Sequence, residues 1–166
     1  EERLVFKGGN CLDIQIAADP EADAERKKPA PGDVRVLVTR RDGKPFAAVY
    51  RPEVADFDGD PIVLSSPTGK ESFDRIEFTD KVGLEYKKRN GGFTAMVTIP
   101  LSLLGWRPQP GSQVRMDLGC IFGNRNGSDA AVRAYWMNNS FTANVTEDIP
   151  HESRLEPHEW GSALVE

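Results

Sequence analysis

The sequence predicts an all-β fold, an antiparallel and jelly-roll-like β-sandwich with minimal helix. Three observations carry that expectation. Short runs rich in β-branched and aromatic residues alternate apolar with polar along the 166 residues, which is the period of a half-buried strand. Turn dipeptides stand between the runs, namely Asp42-Gly43, Asn90-Gly91 and Pro110-Gly111, whose glycines supply the positive φ that tight turns need. Helical signal is nearly absent, and strands without crossover helices pair antiparallel.

Taken in order, the alternation predicts strands over 3–7, 11–17, 34–40, 45–50, 62–65, 73–78, 82–87, 93–99, 114–122, 132–136 and 162–165. Residues 20–28 read as two turns of helix, and 100–104 as one turn that Gly105 ends. Segments 19–32 and 51–60 are rich in Pro, Ala and charge and read as exposed loops. The first strand has no hairpin partner before it, so the chain reads as a portion of a longer sandwich.

Composition narrows the function classes. A chain of 166 residues is one domain, 1–166, because single cores of roughly 100–200 residues are the norm. With 39% hydrophobic and 28% charged residues it has the make-up of a soluble globular domain, and no apolar run of about 20 residues predicts membrane insertion. A net charge of −5 argues against nucleic acid as partner, since that surface needs clustered cations to displace counterions. The runs Arg26-Lys27-Lys28 and Lys87-Lys88-Arg89 read as solvated charge. Cys11 and Cys120 both fall in strands, and their spacing leaves open whether they are bridged or are two small buried hydrophobes.

No constellation points to catalysis. Nucleophilic chemistry needs a base within reach of a nucleophile, and the two histidines, His151 and His158, sit in a Pro-containing segment with no nucleophile elbow. Asp56-Phe57-Asp58-Gly59-Asp60 alternates carboxylates, but its glycine stands fourth and Pro67 occupies the twelfth place, unlike an EF-hand loop. It reads as an acidic loop. Calcium in a structural role stays open, without a definite set of ligands in the sequence.

Binding chemistry is better represented. A sugar offers apolar C–H faces and equatorial hydroxyls, so its site needs an aromatic platform beside planar amide, carboxylate or guanidinium groups. Arg133, Tyr135, Trp136, Asn138 and Asn139 supply these in one short stretch. Alternation puts Arg133 and Tyr135 on one side of their strand and Ala134 and Trp136 on the other. Trp136 is therefore either a core residue or a platform. Sequons at Asn126, Asn138 and Asn144 lie in the same region.

At these residues the chain resembles the family 9 carbohydrate-binding modules and the wider DOMON-like group of β-sandwiches. The matching pieces, in order, are GGNCLDIQIAAD, VRVLV, GGFTAMVTIPLSLLG, VRMDLGCIFGNRNG, AYWMNN and EWGSALVE, and they cover most of the chain. The resemblance implies a noncatalytic, extracellular or periplasmic module joined to a polysaccharide-active enzyme domain, with an oligo- or polysaccharide as ligand. It also implies that upstream strands of the full family domain are missing. By position it adds Asp13, Arg35 and Asn124 to the ligand-binding residues and matches Trp136 to a late-strand tryptophan of the family. A guanidinium at Arg35 suits vicinal hydroxyls. The DOMON-like side of the resemblance implies an alternative, haem held by Met116, Met137, His151 or His158. A structural or interaction domain of a larger extracellular protein is the third expectation.

Overall fold

The computed structural model describes residues 2–139 and 149–166. Its strands are β1 (Cys11–Ala17), β2 (Asp33–Arg41), β3 (Lys44–Arg51), β4 (Ile62–Ser66), β5 (Gly69–Phe73), β6 (Arg75–Thr79), β7 (Gly83–Arg89), β8 (Gly92–Thr98), β9 (Gln113–Gly123), β10 (Ala130–Tyr135) and β11 (Gly161–Leu164). Among the described residues helix is confined to α1 (Leu101–Leu104), α2 (Ile149–Ser153) and two 3-10 turns, Glu2–Leu4 and Pro157–Glu159. The all-β, antiparallel, sandwich-like expectation holds. The covering layer, however, is made of separate pieces on each side of one broad sheet.

That sheet runs β10-β9-β1-β2-β3-β6, with β11 also on β9. The β2–β3 hairpin is closed by Asp42 (φ 51°) and Gly43 (φ 78°), a two-residue loop with both φ positive, whose twist matches that of its strands. Register fixes two faces. Asp13 pairs with Leu37 and Gly119, and Gln15 with Arg35 and Asp117, so these side chains share one face, which we call the polar face. Leu12, Ile14 and Ile16 point to the other, apolar face.

Each face has its own core. On the polar face Phe6, Leu37, Tyr50, Ile121, Leu155 and Trp160 are buried under the β4–β5 hairpin, which contributes Leu64 and Phe73. On the apolar face Val34, Val36, Val38 and Val49 pack with Leu84 of the β7–β8 hairpin and Leu104 of α1. Deleting a large side chain from either would cost about 2–5 kcal/mol.

Three sequence expectations need correction. Residues 3–7 form no strand: the chain turns, Lys7 N–H donating to the Leu4 carbonyl at 2.8 Å, because Phe6, with no exposed surface, is driven into the polar-face core. Residues 20–28 form no helix, since Asp19 and Asp23 each accept a backbone N–H two residues on, at 2.9 Å, and such local bonds compete with helix. The run 73–78 is broken at Asp74, whose carboxylate accepts Val54 N–H at 2.8 Å while its own N–H donates to the Pro52 carbonyl at 3.2 Å. β5 and β6 therefore belong to different sheets. The alternative left open for the cysteines is decided: both are free, because Cys11 pairs with Ile121 and Leu12 with Cys120, which sets the two thiols on opposite faces.

Candidate functional site

The polar face owes its name to a set of buried charges beneath its apolar cover. Arg35 and Asp13 form a fully buried ion pair, Nη2 to Oδ2 at 2.6 Å and Nε to both carboxylate oxygens at 3.1 Å. Arg35 Nη1 donates to the Glu152 carbonyl at 2.7 Å, which ties α2 to the sheet. Burial alone would lower the Arg35 pKa, but the Asp13 carboxylate more than offsets that and holds it above its ordinary value. The guanidinium also lies 5.7 Å from the Phe6 ring centre.

Tyr135 completes this centre. Its hydroxyl donates to Asp13 Oδ2 at 2.6 Å, and burial, then the Asp13 charge, raises the phenol pKa well above its usual range. The ring reaches Asp13 by crossing Gly119, where any Cβ would collide with it. Beside this group Arg133 donates to the Phe6 carbonyl at 2.7 Å and meets the Glu152 carboxylate at 2.9 Å, which Lys7 approaches from solvent at 3.2 Å. Asn138 is likewise enclosed. Its N–H and that of Met137 donate to the Asp117 carboxylate at 2.9 and 3.0 Å, and Leu118 N–H adds a third bond at 2.8 Å. Three N–H donors on one buried carboxylate fix the path by which the chain leaves β10.

The expected ligand-binding residues thus divide. Asp13, Arg35, Arg133 and Asn138 are at most 3% exposed and bonded to other protein groups. Asn124 lies elsewhere, about 20 Å along β9 from Trp136 at 3.4 Å per residue. There its side-chain oxygen accepts Asn126 and Ser128 N–H at 3.1 and 3.0 Å and shapes a turn. Trp136 is 51% exposed and lies on the apolar face, its N–H held by the Leu118 carbonyl at 2.8 Å. The indole rests over Gly161, where a Cβ would come within 2.9 Å of two ring carbons. The buried indole is that of Trp160, 1% exposed, its Nε1 donating to Gln15 Oε1 at 3.1 Å.

Two adjoining grooves open where the β7–β8 hairpin stands off the apolar face. One, of about 570 Å³, runs from Trp136 past Leu118 and Ile14 to Phe93 and Phe122. The second, of about 650 Å³, continues from Phe93 and Phe122 to Tyr86, Lys88 and Arg40. Their aromatic walls touch in sequence, Tyr86 to Phe93 at 5.6 Å and Phe93 to Phe122 at 6.4 Å between ring centres, both edge to face. Sequence reasoning missed these grooves. The period-2 runs of β7 and β8 were the available signal, since they align Tyr86 and Lys88 on one side with Phe93 and Ala95 opposite.

The other expectations have definite places. Met116 belongs to the apolar face, whereas α2, with His151, packs on β4 and β5 over the polar face. His158 lies 3.4 Å from Glu159. Residues 56–60 form an exposed segment apart from the partly buried Phe57. Among the described residues no group of three or more His, Cys, Asp or Glu is placed to hold a metal ion, and no helix is long and apolar enough to cross a membrane. The sequon at Asn144 lies outside the described residues. No family model, curated protein or solved structure matches the chain.

Proposed function

We propose that this domain is a noncatalytic carbohydrate-binding module that acts outside the cytoplasm as part of a larger polysaccharide-active protein. The observation that carries the reading is the half-exposed indole of Trp136, seated against Gly161 and lining an open groove. An exposed aromatic face of this kind stacks on the C–H face of a pyranose. In this reading Asp13, Arg35, Arg133 and Asn138 do not touch the sugar. They form the buried frame that fixes Tyr135, and with it the backbone that carries Trp136. Affinity is modest, because an open groove leaves much of the ligand in water.

Calorimetry and a glycan array test the proposal. Oligosaccharides should bind the intact domain and quench Trp136 fluorescence, and Trp136→Ala should abolish binding while the fold persists. Failure of the folded domain to bind any glycan sinks it.

A further inference from the structure

The groove of about 650 Å³ that ends at Arg40 and Lys88 has a chemistry unlike that of a sugar site. Its floor and walls are Leu12, Cys120, Phe122, Phe93 and Tyr86, so most of the surface is apolar. Phe93, Phe122 and Tyr86 stay 37–45% exposed, an open cost for three rings that a ligand would remove. Among the described residues the charged side chains on its rim are both cations, Arg40 and Lys88. Lys88 is exposed and faces inward beside Phe93, its partner across the β7–β8 hairpin. Arg40 is held in place by the Gly43 and Leu84 carbonyls at 2.7 and 2.8 Å, so its charge is oriented, and no carboxylate among the described residues pairs with it. A mostly apolar concavity of a few hundred Å³ with a few polar groups at one end is the usual form of a small-molecule site.

We propose that this groove binds an amphiphile with a single carboxylate, of the fatty-acid class, its hydrocarbon chain lying along Phe93 and Phe122 and its carboxylate meeting Lys88 and Arg40. Charge complementarity selects the anionic head, and the apolar wall supplies the affinity. Trp136 does not line this groove, and although the two grooves share Leu12, Phe93, Cys120 and Phe122, the cationic end at Arg40 and Lys88 is distinct from the platform proposed for glycans.

Laurate, dodecanol and dodecyltrimethylammonium, titrated below their micellar concentrations, test the assignment. Laurate should bind at least tenfold more tightly than the other two. Lys88→Glu, an exposed change, should remove that preference while dodecanol binding persists. Laurate should also shield Cys120 from an uncharged maleimide, and Trp136→Ala should leave laurate affinity within twofold. Equal binding of laurate and dodecanol, no effect of Lys88→Glu, or an unprotected Cys120 each overturns it. So does a concentration-dependent dimer that excludes laurate, which would make the groove a contact between copies.

Discussion

The Tyr135 hydroxyl lies 2.6 Å from Asp13 Oδ2, although β9 separates their strands. The contact exists because Gly119, the β9 residue between them, has no side chain. An aromatic ring laid across a glycine in this way replaces the packing that a bare strand position lacks. Gly119→Ala should displace the ring, break the bond to Asp13 and destabilise the domain by about 2 kcal/mol or more. In a Tyr135→Ala background the same change should cost much less. Urea denaturation of the four proteins in the cycle measures the coupling, and additive costs would refute the relationship.

The Asp13–Arg35 pair is fully enclosed, so removing one partner leaves an unpaired charge. Asp13→Ala and Arg35→Ala should each cost about 3–5 kcal/mol. Asp13→Leu combined with Arg35→Met should recover most of that loss, because two apolar groups leave no charge unpaired. Thermal melts of the three variants give the answer.

Trp136 and Trp160 should separate binding from stability. Trp160 is 1% exposed and hydrogen-bonded to Gln15, and Trp160→Ala should cost about 3–5 kcal/mol. Trp136→Ala should cost at most about 1 kcal/mol, since half its surface already faces water. Acrylamide should quench Trp136 and leave Trp160 emission almost untouched.

Alkali should weaken the domain through its buried thiol and phenol groups. Burial, then the Asp13 charge, pushes the Cys11 thiol from its ordinary 9.0 up to about 12. The raised folded-state value means that this contribution is complete below about pH 9 and is lost as pH climbs toward 12, where only the unfolded chain has given up its proton. Tyr50 is raised as well, chiefly by burial, and adds to the same slope. Denaturant midpoints at pH 7 and 10.5 should fall for the native sequence and fall less for Cys11→Ala. In the folded protein at pH 8, a thiol reagent should reach the half-buried Cys120 and spare Cys11.

Much of the fold was legible because sheets write themselves into sequence with period 2. β1 to β3 and the loop Asp42-Gly43 could be read from alternation and turn chemistry alone. The failures have one physical origin. Where a side chain is claimed by a distant element, local pattern misleads: Phe6 looks like a strand residue but plugs a core, and Asp74 splits a run by bonding to Val54. The same limit governs the site. Asp13 and Arg35 have the chemistry of sugar ligands, yet nothing local to them says that α2 and Trp160 lie on top, because those groups are more than 100 residues away in sequence. Trp136 and Trp160 look equally eligible for burial until the register of β10 and β11 on β9 is known.

That register also governs how the molecule opens. β10 and β11 run in the same direction along one edge of β9, Tyr135 opposite Gly119 and Gly161 opposite Met116, so together they form a single interrupted strand. The polar-face cover at α2, Leu155 and Trp160 hangs from the interruption and adds no rung to the sheet's own ladder. It can therefore detach as one cooperative unit while the ladder stays intact. Amides of residues 151–160 should therefore exchange with solvent ahead of those in β1 and β2, and their opening should expose Asp13 to water.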